Sequence, residues 1–297
     1  MLNSAVMGKK TSDPSRLKIA YQGVAGANSE LAALQFDTHA DAVGYHSFLD
    51  AFEATLKGDC DYACLPVENS LAGSINQTYD LLTDSVLHVV GEQIVRVHHN
   101  LMAKPGTKLA AIKRVYSHPQ ALAQSQAFLL KHGFEAVTDF DTAGAAKVLA
   151  ENGGEGKAAL ATKRAAEIYG LEILAENVED EDFNYTRFFV LGHDEAVKSS
   201  DKNKTSLVLA TRHHPGALVN CLELFPKYGI NMSKLESRPR RDKPWSYLFY
   251  IDVDAHIEDE SLQKVMPELM RRAAFVKYLG SYPAFQDAWL YRSVQNT

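Results

Sequence analysis

The chain has 297 residues, of which 46% are hydrophobic and 23% are charged, and its formal net charge is -6. This composition is typical of a globular protein and argues against long disordered stretches, while the length predicts about two domains. The acidic balance argues against nucleic-acid binding, because a phosphate backbone repels a negatively charged surface. The tight basic cluster comprises only Arg238, Arg240, Arg241 and Lys243.

The cysteine pattern predicts a reducing, cytoplasmic location. Cys60, Cys64 and Cys221 are odd in number and lack the spacing of a zinc site, so the sequence indicates no metal, and it indicates no organic cofactor. Residues 1–16 contain no apolar signal-peptide core and are predicted to form a flexible tail. No apolar run reaches the roughly 18 residues that a membrane span needs, so no membrane association is predicted.

Short apolar runs alternate with helical stretches from Leu17 onward. A strand is predicted at 17–21 and a helix at 28–35, joined by a turn that contains glycine. The alternation predicts an α/β sheet. The pattern continues at 50–56, 62–67, 74–82 and in the long β-branched stretch 86–97.

A second set of elements predicts a second lobe. Strands are predicted at 115–116, 135–137 and 158–161, and helices at 119–131, 142–150 and 163–169. Pro119 fits a first helical turn behind Ser117, and Asp141 fits an N-cap. The strand at 187–191 is free to return to the first lobe, which leaves a cleft between two lobes. Ligands of open α/β sheets bind beyond the carboxyl ends of strands, so the chemistry is expected in those loops.

The last third of the chain predicts a separate domain. Residues 194–204 are charged and lack apolar periodicity, so they are predicted to be a linker between domains at 17–193 and 205–290. The elements that follow are a strand at 205–210, a helix at 216–227, strands at 230–236 and 247–253, a helix at 261–273 and a strand at 276–281. This βαββαβ order is typical of the ferredoxin-like fold.

Two loops of the first lobe carry candidate ligand contacts. Ala27, Asn28 and Ser29 lie at a helix start, where backbone N–H groups attract an anion, although a tight turn alone would explain this loop. The loop after the strand at 62–67 packs an acid, an amide and hydroxyl groups together, which indicates either ligand contact or a helix start capped by a serine. Its candidates are Glu68, Asn69, Ser70 and Gly73.

Two further loops carry candidates in the second lobe and on the returning strand. Ser117 and Gln120 can both hydrogen-bond an anion or a hydroxyl group at a helix start, whereas His118 beside Pro119 is more often structural. The segment after the acidic run at 179–182 is by itself equally compatible with an edge strand that exposes one arginine. Its candidates are Asn184, Thr186, Arg187 and Phe188.

In order and spacing, the four loops resemble the prephenate dehydratase family, which includes arogenate dehydratases, over 17–193. The segments Pro-Val-Glu-Asn-Ser, Ser-His-Pro-Gln and Thr-Arg-Phe look like its diagnostic motifs. Asn28 departs from the family, which usually has an aromatic residue there. The C-terminal part is similar to the phenylalanine-binding ACT domain of the family, through Gly216, Ala217, Leu218, Asn231, Glu236, Ser237, Arg238 and Pro239.

The resemblance implies a two-lobed catalytic domain like a periplasmic binding protein, followed by the ACT domain. It implies removal of water and carbon dioxide from prephenate, with Thr186 as hydrogen-bond donor to the leaving hydroxide and Asn69, Ser117 and Gln120 beside it. Neighbouring strand residues face opposite sides, so Arg187 either contacts substrate after a twist or braces the site. The remaining loop candidates would bind substrate, and phenylalanine would act as an allosteric effector where two ACT domains of a homodimer or homotetramer meet.

Three alternatives stay open at the level of sequence. Arogenate differs from prephenate only by an amino group in place of a keto group, and the loops do not separate the two substrates. A two-lobed cleft with an ACT domain would also suit a non-catalytic amino-acid sensor, against which Thr186, Ser117 and Gln120 argue. An ACT-regulated dehydrogenase would need a nicotinamide fingerprint, and the sequence contains none.

Overall fold

A computed structural model of the protein describes residues 16–199, 201–240 and 246–286. Residues 1–15 of the predicted tail and two members of the basic cluster, Arg241 and Lys243, lie outside these ranges. Within them, no helix is long and apolar enough to cross a membrane.

The first lobe is a sheet with helices on both faces. Its helices are α1 (Asn28–Phe36), α2 (Phe48–Leu56) and α3 (Asn76–Thr83). Its first strands are β1 (Lys18–Gln22), β2 (Asp41–Tyr45), β3 (Tyr62–Asn69), β4 (Gly73–Ser74) and β5 (His88–Arg96). Helix α2 begins with a capping box, in which Ser47 and Asp50 satisfy each other's backbone N–H groups.

The second lobe has its own five-stranded sheet, in the order β10-β6-β9-β7-β8. Its strands are β6 (Asn100–Ala103), β7 (Arg114–Ser117), β8 (Glu135–Thr138), β9 (Lys157–Ala161) and β10 (Glu172–Ala175). Its helices are α4 (Pro119–Ala123), α5 (Gln126–His132), α6 (Thr142–Asn152) and α7 (Lys163–Tyr169).

The returning strand, β11 (Tyr185–Gly192), completes the sheet of the first lobe. The sheet order is β2-β1-β3-β11-β5, so β11 lies between β3 and β5 and is antiparallel to both. Its pairing with β3 shifts register between Arg187 and Phe188. The predicted return of this strand to the first lobe is therefore confirmed, and its N-terminal end lies beside the loop after β3.

The last domain has the predicted ferredoxin-like order, except that the helix expected at 216–227 is divided into two short helices. Its strands form one antiparallel sheet in the order β13-β14-β12-β15. Its elements are β12 (Asn203–Ala210), α8 (Ala217–Leu222), α9 (Leu224–Lys227), β13 (Met232–Pro239), β14 (Tyr247–Val253), α10 (Glu260–Arg272) and β15 (Phe275–Pro283).

The ferredoxin-like sheet packs one face on the first lobe. Val208, Tyr250 and Tyr282 from this sheet share a buried cluster with Leu82 and Phe189 of the first lobe. The other face is covered by α8, α9 and α10, which form a separate core. Because apolar surface is removed from water across the contact, the third domain is joined to the first lobe by a shared core rather than by the linker alone.

Two local predictions about the second lobe need correction. The helix expected at 119–131 is divided into α4 and α5, and the break lies where the carbonyl of Gln124 accepts from the backbone N–H of Asp180. The N-cap of α4 is His118, whose Nδ1 accepts from the N–H of Gln120, and not Ser117. The predicted cap of α6 is confirmed, since the Asp141 carboxylate accepts from Gly144.

Candidate active site

The structure brings polar side chains of three predicted loops together between the lobes. Asn69 and Thr186 face each other in the β3–β11 pairing, and Asn69 Nδ2 donates to Thr186 Oγ1 at 3.0 Å. Asn69 Oδ1 accepts from Gln120 Nε2 of the second lobe at 3.4 Å. Thr186 and Asn69 are 9% and 5% exposed, so these bonds are largely shielded from water. Residues 117 positions apart in sequence thus form one cluster.

Two residues that the sequence did not single out, Gln124 and His99, extend this cluster. Asn69 Nδ2 also donates to Asn184 Oδ1 at 2.9 Å, and Asn184 Nδ2 donates to Gln124 Oε1 at 2.9 Å. The same Gln124 oxygen lies 3.0 Å from His99 Nε2. Burial lowers the pKa of His99, and its neutral ring with the proton on Nε2 satisfies this contact. Gln124 could have been found by its spacing, because it follows Gln120 by one helical turn.

The side-chain carbonyl oxygen of Asn69 and the Ser70 hydroxyl bond to backbone groups and so stabilise the conformation of this loop. Asn69 Oδ1 accepts from the backbone N–H of Leu71 and Ala72 at 3.1 and 2.9 Å, which folds the chain tightly after β3. The Ser70 hydroxyl donates to the carbonyl of Phe183 and accepts from the N–H of Tyr185. Both partners of Ser70 are backbone groups next to β11, so Ser70 fastens the loop to that strand. Gly73 pairs with Asn69 and has a φ of 79°, which favours glycine.

The structure does not support Ser117 as a donor to substrate. Ser117 is fully buried, and its hydroxyl donates to the carbonyl of Leu160 on β9 at 2.7 Å. This bond uses the hydroxyl hydrogen to join the carboxyl ends of β7 and β9. The sequence could not reveal it, because Leu160 lies 43 residues away.

Arg187 braces the site from the opposite side of the sheet. Its guanidinium lies 2.5 Å from Asp252 and 2.6 Å from Glu92, and Nη2 donates to the Tyr282 hydroxyl at 3.0 Å. Burial alone would raise the pKa of Asp252, but the Arg187 charge and the Ser206 hydroxyl hold that pKa below its usual value. The bracing role is therefore the one that the geometry supports.

Two of the expected substrate contacts lie elsewhere. Phe188 is fully buried in the core of the first lobe, where it packs in one cluster with Ile19 and Cys64. The Glu68 carboxylate lies 2.8 Å from Lys234 Nζ on β13. Strand alternation turns Glu68 away from Asn69, whereas Phe188 lies farther along β11 on the face of Thr186 and is enclosed by the core. We therefore remove Phe188 and Glu68 from the candidate substrate contacts.

The expected anion site at the start of α1 is filled by the protein itself. The Glu30 carboxylate accepts from the N–H of Gly26 at 2.7 Å and pairs with Arg164 of the second lobe at 2.7 Å. Ser29 is buried, and the N-cap Ala27 offers no side-chain hydrogen bond. The helix start therefore already holds a negative charge, which disfavours a second anion there.

Asn28 lines a groove of about 400 Å³ between the two lobes. The same groove is lined by Arg96 and His98 near the end of β5 and by Lys163 at the start of α7. The lobes touch closely beside it, since Thr162 Oγ1 donates to the carbonyl of Gly26 at 2.5 Å. The groove thus combines the Asn28 amide with cations such as Arg96 and Lys163 and with the carboxylates of Glu167 and Glu176.

The two halves of the predicted effector motif line different grooves of one chain. Gly216, Ala217 and Leu218 line a groove of about 680 Å³ at the start of α8. Arg238 and Pro239 line another, of about 580 Å³, between β13 and α3. Asn231 Nδ2 donates to the Asp254 carboxylate at 2.6 Å, and Glu236 and Ser237 occupy neighbouring positions on β13.

A polar cluster between two α/β lobes, joined to a ferredoxin-like domain, is the arrangement of a two-lobed enzyme with an appended third domain. The family described as prephenate dehydratase matches residues 19–196. The chain belongs to the prephenate dehydratase family, whose members are lyases.

Related proteins and solved structures agree with this assignment. Arogenate dehydratase 2 of Petunia hybrida is 41% identical over 95% of this chain and 76% of its own length. Arogenate dehydratase/prephenate dehydratase 2, chloroplastic, of Arabidopsis thaliana is also 41% identical, over 95% of this chain and 77% of its own length.

Among solved structures, the prephenate dehydratase of Arthrobacter aurescens in complex with L-Phe has a TM-score of 0.82 at 29% identity and covers 94% of this chain and 97% of its own. A protein described as GqqA, a novel type of quorum quenching acylases, has a TM-score of 0.83 at 36% identity and covers 90% of this chain and 98% of its own.

Proposed function

We propose that the protein converts prephenate to phenylpyruvate, carbon dioxide and water. The observation that carries this proposal is the Thr186 hydroxyl held by Asn69, whose side chain also accepts from Gln120 of the second lobe. As the bond to the ring carboxylate breaks, its electron pair enters the ring and the ring hydroxyl departs as hydroxide. Hydroxide is a poor leaving group, so a donor must deliver a proton or a strong hydrogen bond to it.

The orientation of Asn69 suits Thr186 to this task. Asn69 Nδ2 donates to Thr186 Oγ1, so the hydroxyl hydrogen of Thr186 is left to point at the substrate. A hydroxyl that accepts one hydrogen bond donates a stronger one, which compensates in part for the weak acidity of threonine. The cluster that surrounds it consists of the uncharged groups of Asn69, Asn184, Gln120 and Gln124.

An uncharged cluster is also favourable for the loss of carbon dioxide. The leaving carboxylate loses its charge in the transition state, so a cation bound tightly to it would stabilise the ground state more than the transition state. We assign the second carboxylate of the substrate to the groove lined by Asn28, Arg96 and Lys163, whose two cations would outweigh the nearby Glu167 and Glu176 only if they contact the carboxylate directly.

The decisive variant is Thr186→Ala, with Thr186→Ser as the conservative replacement. We expect Thr186→Ala to lower kcat by about 10²- to 10⁴-fold, the usual contribution of general acid catalysis, and Thr186→Ser to recover much of it. Phenylpyruvate formation is followed by ultraviolet absorbance. Thr138→Ala, at an exposed position of β8, is the matched control. Near-normal turnover by a folded Thr186→Ala variant would refute the role of Thr186.

Arogenate is the alternative substrate, because the relatives at 41% identity carry arogenate dehydratase in their names. Loss of water and carbon dioxide from arogenate would give phenylalanine directly by the same electron movement. Measuring kcat/KM for both substrates with one preparation separates the two activities. A higher kcat/KM for arogenate than for prephenate would identify arogenate as the substrate.

Two other classes of function are less compatible with the cluster. An acylase, the class in which the structural relative GqqA is described, needs a nucleophile beside a base. The group that contacts Thr186 Oγ1 is the amide nitrogen of Asn69, which cannot accept a proton. A non-catalytic sensor would bind prephenate without changing its ultraviolet spectrum, so the same absorbance assay tests that alternative.

For regulation, we propose that phenylalanine binds where the ferredoxin-like domains of two cytoplasmic subunits meet, in a dimer or tetramer. Two separate grooves of one chain are lined by Gly216–Leu218 and by Arg238 with Pro239. This separation supports a site that a second subunit completes. The relative from Arthrobacter aurescens contains L-Phe. Titrating L-phenylalanine while initial rates and sedimentation are measured tests the proposal. Inhibition without any dimer, or a dimer indifferent to phenylalanine, would contradict it.

A further inference from the structure

Strand β13 presents two cations to the first lobe. Lys234 and Arg238 lie four residues apart, so they share one face of the strand. Lys234 Nζ lies 2.8 Å from the Glu68 carboxylate, and Arg238 Nη1 lies 2.9 Å from the Asp80 carboxylate and also donates to the carbonyl of Asn76. The side chains of Lys234 and Arg238 are only 8% and 13% exposed. These contacts are therefore part of the packed domain interface.

The acceptors of the two cations lie on either side of the loop that carries Asn69. Glu68 directly precedes Asn69, and Asn76 directly follows Ile75 at the start of α3. Four residues of β-strand span about 13 Å, so one rigid element of the third domain holds both ends of this loop at once.

We propose that Lys234 and Arg238 are positioning residues, which set the place of Asn69 relative to Thr186 by clamping the loop 69–75 to β13. This inference rests on the proposed function, because it gives the loop a catalytic task. Thr186, the partner of Asn69, is fixed to the sheet of the third domain as well, because the neighbouring residue Arg187 contacts Asp252 on β14. Both members of the Asn69–Thr186 hydrogen bond are thereby held by the third domain.

Within a single chain, Arg238 is already bound to the first lobe. Its guanidinium is engaged by α3, so an effector bound at the neighbouring positions Glu236 and Pro239 would act on the strand that carries the clamp. A displacement of β13 would then reach Asn69 through Glu68. The third domain can in this way alter turnover without contacting the substrate.

The kinetic test compares Lys234→Met with Lys234→Arg. Lys234→Met keeps the apolar stem and removes the charge, and we expect its kcat to fall by about 10- to 100-fold with KM changed by less than about 3-fold, since small misplacement of a catalytic group costs up to ~10²-fold. Lys234→Arg keeps the charge and should recover most of kcat. Lys264→Met, at an exposed ion pair on α10, is the matched control.

A second readout does not depend on the reaction. The amides of Leu71, Ala72 and Ile75 are hydrogen-bonded within the loop or to β3, so their hydrogen exchange reports whether the loop is held. We expect faster exchange at these three amides in Lys234→Met and Arg238→Met, and no change in Lys264→Met. Unchanged exchange there, or an equal increase throughout β12 and β14, would overturn the clamp. If the wild-type protein turns over neither prephenate nor arogenate, the proposed function fails, and the exchange data still decide the clamp.

Discussion

Replacement of Arg187 by methionine should reduce stability far more than an ordinary surface substitution. The side chain of Arg187 is 11% exposed, and the side chains of its partners Glu92 and Asp252 are 0% and 5% exposed. Removing one partner of a buried ion pair costs about 3–5 kcal/mol. Lys204 remains 2.9 Å from Glu92, and Ser206 remains bonded to Asp252, so the expected loss lies near the lower end, at about 3 kcal/mol.

The size of this loss should depend on pH. Burial alone would raise the pKa of Asp252 and of Glu92, but Arg187 holds both below their usual values. A carboxylate whose folded pKa is depressed adds stability above its unfolded pKa and loses it as pH falls, so wild-type stability should decline below about pH 4. Without Arg187, burial raises the pKa of these groups in the folded state, and the variant gains stability as they become protonated. The difference should therefore shrink as pH falls from neutral toward the ordinary carboxylate range.

Urea unfolding, followed by circular dichroism at several pH values, measures both effects. Arg114→Met, at an exposed position of β7, is the matched control and should change the unfolding free energy by less than about 0.5 kcal/mol. A difference between Arg187→Met and wild type that stays constant or grows as pH falls would refute the assignment of Arg187 to a buried ionic network.

Two further substitutions test the contact between the lobes and the extended cluster. Gly26→Ala would place a Cβ 2.7 Å from the Cα of Ala165, and we expect it to cost about 2 kcal/mol more than Gly58→Ala, which shares a positive φ but has open space around it. Thermal unfolding of the two variants gives the comparison. Gln124→Ala removes the acceptor of Asn184, and we expect about 1–3 kcal/mol of lost stability together with a lower kcat, measured on one preparation. An unchanged kcat would show that Gln124 does not contribute to the function of the active cluster.

The sequence revealed most elements of the fold because their apolar periodicity is strong, and the exceptions have local causes. Strand β2 was missed because its sequence, DAVGY, contains no apolar run and none of its residues is fully buried. Strands β6 and β10 have four residues each, too few to establish a period. The break between α4 and α5 depends on Asp180, which is distant in sequence.

The residues of the candidate site could be predicted from the sequence, but the residues that contact them could not. Strand alternation showed that Thr186 and Arg187 face opposite sides. It could not show that Glu92 and Asp252 surround Arg187, because these residues are 95 and 65 positions away. Likewise, helix physics favours an anion at the start of α1, which the sequence left beside a plain tight turn, and only tertiary structure shows that Glu30 supplies the negative charge.

The place of β11 in the first sheet has a consequence for biosynthesis. A nascent chain contains β3 and β5 long before Tyr185–Gly192 leaves the ribosome, and until then these strands have no partner between them. The sheet of the second lobe lies wholly within Asn100–Ala175, so it can close earlier. We expect the second lobe to fold first during translation. Chains released before Gly192 would expose open strand edges, which are the usual starting points of aggregation.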